Sequence, residues 1–176
     1  MKKMLFAVLS ICFAVTLSAA EIAVNFKDAI AKAKPGSIAP KGWYRNGNSR
    51  KDIGAGKLTV ENGVPCFKIE TTKIATEFYG IPYIPAKAGQ TLEVEITAQG
   101  TGTLLASCYS YNDKKVFFYP GNLLKKMPIV KDQKVYKASI KLADGRKGEK
   151  LGSILLVIGA SAKSNISIFD VKARIK

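Results

Sequence analysis

Leu92-Glu93-Val94-Glu95-Ile96-Thr97-Ala98 alternates apolar and polar side chains without a break. A period of two sends Leu92, Val94, Ile96 and Ala98 to one face and Glu93, Glu95 and Thr97 to the other, which predicts a β-strand with one buried and one wet face. Tyr136-Lys137-Ala138-Ser139-Ile140-Lys141-Leu142 repeats the pattern. Outward from these strands, Lys57 to Glu61 and Val64 to Thr71 flank Asn62-Gly63, a dipeptide that tolerates positive φ and so marks a hairpin. Leu104 to Tyr111 and Lys115 to Tyr119 flank Asn112-Asp113-Lys114 in the same manner. Ser153 to Gly159 is apolar on both faces and predicts a central strand covered on both sides. Ile166 to Ile175 predicts a closing strand with Phe169, Val171, Ala173 and Ile175 on one face. Short alternating segments separated by turn residues at close intervals predict an all-β sandwich or barrel.

One helical spacing is present. Phe26, Ala29, Ile30 and Ala33 recur at intervals of three and four before Pro35-Gly36 stops them, which predicts a helix of one or two turns. From Pro35 to Gly56 the chain is rich in Gly, Pro, Asn and Ser and has no period, which predicts a long loop wrapping the sandwich. No repeat or low-complexity linker divides the chain, so a single domain is expected.

Composition narrows the chemistry. The 176 residues include no histidine, which excludes Ser-His-Asp and Cys-His nucleophile systems, histidine-ligated zinc and an imidazole proton shuttle. Lys2 and Lys3 precede an apolar run from Met4 to Leu17, and Ser18-Ala19-Ala20 supplies the small residues of a signal-peptidase site. The run is shorter than the roughly 20 residues that span a bilayer. Residues 1–20 therefore predict a signal peptide and residues 21–176 the exported domain, secreted or held in the periplasm or cell envelope. Cys12 follows Ile11 inside the apolar run, too early for a lipoprotein acylation site. Loss of Lys2 and Lys3 lowers the formal charge from +15 to +13. In an oxidising compartment Cys66 and Cys108 could form a disulfide, and equally they could be two small buried side chains on separate strands.

Glu93 and Glu95 fall on one strand face about 6–7 Å apart, a spacing that suits a glycosidase pair. Hydrolytic carboxylates come from facing elements, however, and alternating Glu is ordinary on a wet face. Gly54-Ala55-Gly56-Lys57 lacks the leading Gly and trailing Ser/Thr of a phosphate loop, with Lys51 and Leu58 in those places, and reads as a turn entering a strand. No metal-ligand spacing is present, and Cys66 and Cys108 are far apart in sequence. The cations are dispersed in small groups: Lys32/Lys34, Arg45/Arg50/Lys51, Lys114/Lys115, Lys125/Lys126 and Arg146/Lys147/Lys150. Such a surplus attracts polyanions, while the helical, zinc or RNA-binding motifs of a specific nucleic-acid reader are missing. Aromatic placement points further. Tyr109 and Tyr111 share a strand face, Phe117, Phe118 and Tyr119 follow a short turn, and Tyr79 and Tyr83 flank Gly80 and Pro82. Such rings either fill the core or offer apolar faces to sugar C–H groups. Trp43 in the long loop is read as a core plug in preference to a binding platform.

Three stretches in order, Pro40-Lys41-Gly42-Trp43, Ala86-Lys87-Ala88-Gly89-Gln90-Thr91-Leu92-Glu93-Val94 and Ile168-Phe169-Asp170-Val171-Lys172, resemble those of carbohydrate-binding modules of the galactose-binding-domain-like, CenC-type jelly-roll group. The resemblance spans nearly all of residues 21–176. It implies a jelly-roll β-sandwich, glycan binding without catalysis, and association with a glycoside hydrolase. It departs from the group at Leu92, where an aromatic is common, and at Asn25-Phe26-Lys27, where the group often has Asn-x-x-Phe-Glu. The group's structural calcium would use the first-strand acid and the last-strand Asp. Asp170 matches that Asp, but a cation at Lys27 opposes a divalent ion, so a Lys27–Asp170 pair is expected there in place of calcium. No other cofactor is expected.

The expected function is recognition of a polysaccharide, acidic or neutral, by stacking on Tyr79, Tyr83, Tyr109 and Tyr111, with Arg45 and Lys114 as cationic partners. The competing reading from another class is a cell-envelope structural or protein-interaction sandwich without sugar binding.

Overall fold

The computed structural model describes residues 21–22, 26–34, 36–47, 54–121 and 123–176. The signal segment expected at residues 1–20 lies outside them. The elements run β1 (Glu21–Ile22), α1 (Phe26–Ala31), β2 (Trp43–Arg45), β3 (Ala55–Glu61), β4 (Val64–Glu70), β5 (Thr76–Pro85), β6 (Thr91–Thr101), β7 (Thr103–Tyr111), β8 (Phe117–Phe118), β9 (Lys125–Pro128), β10 (Lys134–Lys141), β11 (Ser153–Ala160) and β12 (Asn165–Ile175). No helix among the described residues is long and apolar enough to cross a membrane.

The strands form two antiparallel sheets packed as a sandwich. The first has the order β10-β6-β12-β4-β3, with β1 also on β12. The second has the order β2-β5-β11-β7-β8, with β9 also on β7. The alternation in β6 is realised as predicted: Leu92, Val94, Ile96 and Ala98 are buried, with Ala138 and Ile140 beside them on β10. Asn62 (φ 51°) and Gly63 (φ 77°) make the β3–β4 hairpin through left-handed backbone that these residue types accept at low cost. β11 is the central strand of the second sheet, paired to β5 and β7, and is buried along nearly its whole length.

Between the sheets, Phe67 and Phe78 meet edge to face at 4.8 Å, amid Ile69, Leu104, Ile154, Leu156, Ile158 and Ile166. Burying each such side chain is worth about 1.5–3 kcal/mol relative to exposure, which makes this layer the main source of stability. α1 lays Phe26 and Ile30 onto the core, and Trp43 stands edge-on to Phe26 at 5.4 Å as a core plug.

Two expectations are corrected. The stretch from Pro35 to Gly56 is not wholly a loop: β2 lies within it as a three-residue edge strand on β5. It is too short to show a period, and its place comes from Trp43 being pulled into the core. Phe169 does not share a core face with Val171, Ala173 and Ile175. The β12–β6 register shifts between Ile168 and Asp170, so Phe169 is a bulged residue and Ile168 takes the core position.

Candidate functional site

The outer face of the second sheet carries aromatic rings where an ordinary wet face carries charge. On β7, Leu104, Ala106, Cys108 and Ser110 point inward, so Tyr109 and Tyr111 point out. On β5, Phe78 and Ile84 are core residues, so Tyr79 and Tyr83 take the outer face. A bulge places Ile81-Pro82-Tyr83 opposite the single residue Leu155, and the two added residues preserve that alternation. All four tyrosines expected to bind ligand therefore lie on one face, reached from two strands on either side of β11.

The rings touch in sequence. Tyr44 stacks on its cross-strand partner Tyr79 at 5.7 Å and 27°. Tyr79 meets Tyr109 at 5.8 Å, and Tyr109 meets Phe117 edge to face at 5.8 Å. From Phe117 the contacts branch to Tyr119 at 4.9 Å and to Tyr111 at 5.8 Å. Tyr111 in turn holds Tyr83 at 4.9 Å. β5 and β7 are separated by β11, about 9.6 Å at ordinary strand spacing, so Tyr79 and Tyr109 lean toward each other over Leu155 and Val157. That cover explains why a strand facing outward is buried: Leu155 and Val157 are 3% and 1% exposed. The outer members of the ladder remain open, with Tyr44 at 47%, Phe117 at 42% and Tyr119 at 70% exposure.

Polar groups punctuate the ladder. Tyr109 Oη donates to Glu77 Oε2 at 2.9 Å. Burial, followed by the nearby Glu77 charge, pushes the Tyr109 phenol far above its ordinary ionisation range, so it remains a neutral hydroxyl. Burial likewise raises Tyr111, with Tyr83 the next cause. A hollow of about 210 Å³ lies beside Tyr109, bounded by Glu77, Ser107, Phe117, Tyr119 and Leu124.

The two expected cations fare differently from the tyrosines. Arg45 follows Tyr44 on β2 and so faces the opposite side of that strand. Lys114 is exposed in the β7–β8 turn, where its backbone N–H donates to Asn112 Oδ1. Its neighbour Lys115 stands over the Tyr83 ring at 5.2 Å from the centroid, a cation–π contact. Sequence reasoning also left out Tyr44, in a segment without period, and Glu77. It noted Phe117 and Tyr119 but gave them no role.

The remaining candidates resolve as surface or core. Glu93 pairs with Arg174, its cross-strand partner, and with Lys176 at 2.9 Å; Glu95 pairs with Lys137, also directly opposite, at 2.9 Å. These cations hold both carboxyls below their ordinary range, in a cross-strand charge pattern on the first sheet. Of the two readings of Cys66 and Cys108, the structure holds two free, buried thiols. Cys108 faces the core from the second sheet, whereas Cys66 alternates with the core residues Phe67 and Ile69 and so faces outward from the first, near Ser167. Lys27 Nζ lies 3.9 Å from Asp170 Oδ2. The Lys27 ammonium beside this carboxylate opposes a divalent ion there, and calcium takes six to eight oxygens.

No protein-family model matches the chain, and no curated protein matches it. Solved structures do. A Stig cyclase from Fischerella sp. TAU, in complex with an indole compound, aligns with TM-score 0.59 at 8% identity over 90% of this chain and 98% of its own. The arabinose-bound MgGH51 α-L-arabinofuranosidase aligns with TM-score 0.54 at 11% identity, over 85% of this chain. The Clostridium thermocellum xylanase 10B CBM22-1–GH10 structure, complexed with xylohexaose, aligns with TM-score 0.50 at 16% identity over 77% of this chain. The chain spans only 26% of each of those two glycosidase chains. At these identities the likeness establishes the β-sandwich fold, one shared by carbohydrate-binding modules and by enzymes, so function must be argued from the site.

Proposed function

We propose that the chain is an exported, non-catalytic glycan-binding module of the galactose-binding-domain-like kind, and that the outer face of its second sheet is the binding surface. The observation that carries this reading is the unbroken contact series of seven rings, Tyr44, Tyr79, Tyr109, Phe117, Tyr119, Tyr111 and Tyr83. A row of partly exposed rings offers successive apolar faces to the C–H faces of a sugar chain, while Glu77, the phenol hydroxyls and Lys115 offer hydrogen bonds to its hydroxyls. Lys114, on the same turn, is the remaining expected cation that a bound chain could reach. Catalysis is disfavoured because no histidine exists and the best carboxylate pair, Glu93 and Glu95, is engaged by cations on the other sheet. The xylanase structure carries a binding module beside a hydrolase module, which supports a glycoside hydrolase as a functional partner here.

The test is retention of the purified domain on immobilised polysaccharides at moderate salt, comparing wild type with Tyr44→Ala/Tyr119→Ala. Loss of retention in the variant supports the surface. Equal retention removes it, and no retention of wild type on any polysaccharide favours the structural or protein-interaction role.

A further inference from the structure

The ladder does not end in open solvent at Tyr44. Tyr44 also lines a cleft of about 630 Å³, to which Ile38 contributes apolar wall and Lys32, Lys34 and Lys41 contribute cations. No acidic side chain lines this cleft among the described residues. Lys32 is tethered to Asp28 at 3.3 Å, one turn back on α1. Lys34 and Lys41 are exposed and have no ion-pair partner among the described residues. On the first sheet, by contrast, Glu61, Glu70, Glu93 and Glu95 are each paired with a lysine or arginine. Two lysines without an ion-pair partner among the described residues thus stand where the aromatic row stops.

We infer that the cleft is an anion subsite continuous with the tyrosine row, and that the ligand class is an acidic polysaccharide carrying carboxylate or sulfate groups. This rests on the glycan-binding reading and deepens it. A chain stacked along Tyr109, Tyr79 and Tyr44 has its next unit at the mouth of the cleft. There Lys34 and Lys41 meet an anionic substituent, and the exposed Ile38 lies beside its apolar edge. A neutral glycan would leave those cations solvated and gain nothing from them. Nucleic acid is the less suitable occupant, because three flexible lysines give point charges without base-edge readout.

The experiment measures binding at 0.15 M salt to polygalacturonate, its methyl-esterified form, alginate, dextran sulfate and duplex DNA. The proteins compared are wild type, Lys34→Gln/Lys41→Gln, and the charge-matched control Lys87→Gln/Lys163→Gln, whose residues lie on turns outside the cleft. The expected result is wild-type binding to at least one of the acidic polysaccharides, weakened roughly tenfold by the Lys34/Lys41 pair and by less than about twofold by the control. Weaker binding of the methyl-esterified than of the free polygalacturonate identifies carboxylate as the anion recognised; a response confined to dextran sulfate identifies sulfate. An equal loss in both double variants, or DNA bound as tightly with the same lysine dependence, overturns the subsite in favour of general polyanion attraction. Ester-insensitive binding that the Lys34/Lys41 pair leaves unchanged overturns the acidic-ligand inference while the glycan reading stands. Failure of wild type on every polysaccharide, the neutral methyl-esterified form included, overturns both.

Discussion

Tyr79 and Tyr109 belong to strands that never pair with each other, yet their rings meet at 5.8 Å above Leu155 and Val157 of the strand between them. The central rings therefore roof a buried strand, whereas Tyr119, at 70% exposure, covers little. Tyr109→Ala is expected to lower unfolding free energy by about 2–4 kcal/mol, since it uncovers apolar surface and strands the Glu77 partner. Tyr119→Ala should change it by less than about 0.5 kcal/mol. Urea unfolding of both variants, beside polysaccharide retention, separates the two roles; an equal stability loss would contradict the roof.

Glu61 gives the acid response. Ser167 Oγ and Gln99 Nε2 donate to it at 2.7 and 2.8 Å, and Lys68 lies 3.5 Å away. The Ser167 bond is the largest cause holding the carboxyl below its ordinary 4.5. A depressed folded-state pKa contributes stability that is present above about 4.5 and lost as pH falls through the folded value. Ser167→Ala is therefore expected to cost about 1 kcal/mol at pH 7, with the gap from wild type narrowing below pH 4. Urea midpoints at pH 7, 4 and 3 measure it, and a pH-independent gap would point to packing instead.

The thiols give the alkaline response. Burial pushes Cys108 up from 9.0 to about 12 and raises Cys66 as well. A raised folded-state pKa means that the neutral thiol's contribution is complete below about 9 and is lost as pH rises toward 12. Native protein at pH 8 is expected to react with a thiol reagent at less than a hundredth of its rate in denaturant, with or without prior reductant. Fast native modification would refute this placement of the sulfurs.

The chain ends give a metal prediction. With Lys27 beside Asp170, millimolar calcium should shift the melting temperature by less than about 1 °C, and chelator should do nothing. Lys27→Glu supplies a second acid and is expected to introduce a calcium-dependent rise. A several-degree response in wild type would show that the lysine does not displace the ion.

Much of the framework was legible because period-two alternation states which face is buried. Leu92 to Ala98, Tyr136 to Leu142, the Asn62-Gly63 hairpin and the doubly apolar Ser153 to Gly159 each took the expected place. β2 was not legible, since three residues carry no period and Trp43 is positioned by Phe26 from another element. The same blindness hid Tyr44. Phe169 was misplaced because one bulged residue reverses alternation, a shift visible only in the pairing register. Tyr79, Tyr83, Tyr109 and Tyr111 were found as rings of uncertain direction; their common face follows from the order β5-β11-β7, which sequence alone does not state. Arg45 failed to join them because adjacent residues on a strand point opposite ways.

The roof over β11 also divides the aromatic row by its freedom to diverge. Substitutions at Tyr79 or Tyr109 are penalised through folding before any ligand is met, so related sequences should hold aromatic or equally bulky side chains there whatever they bind. Tyr44 and Tyr119 carry no such double duty, so the two exposed ends are where related sequences can vary without touching the fold.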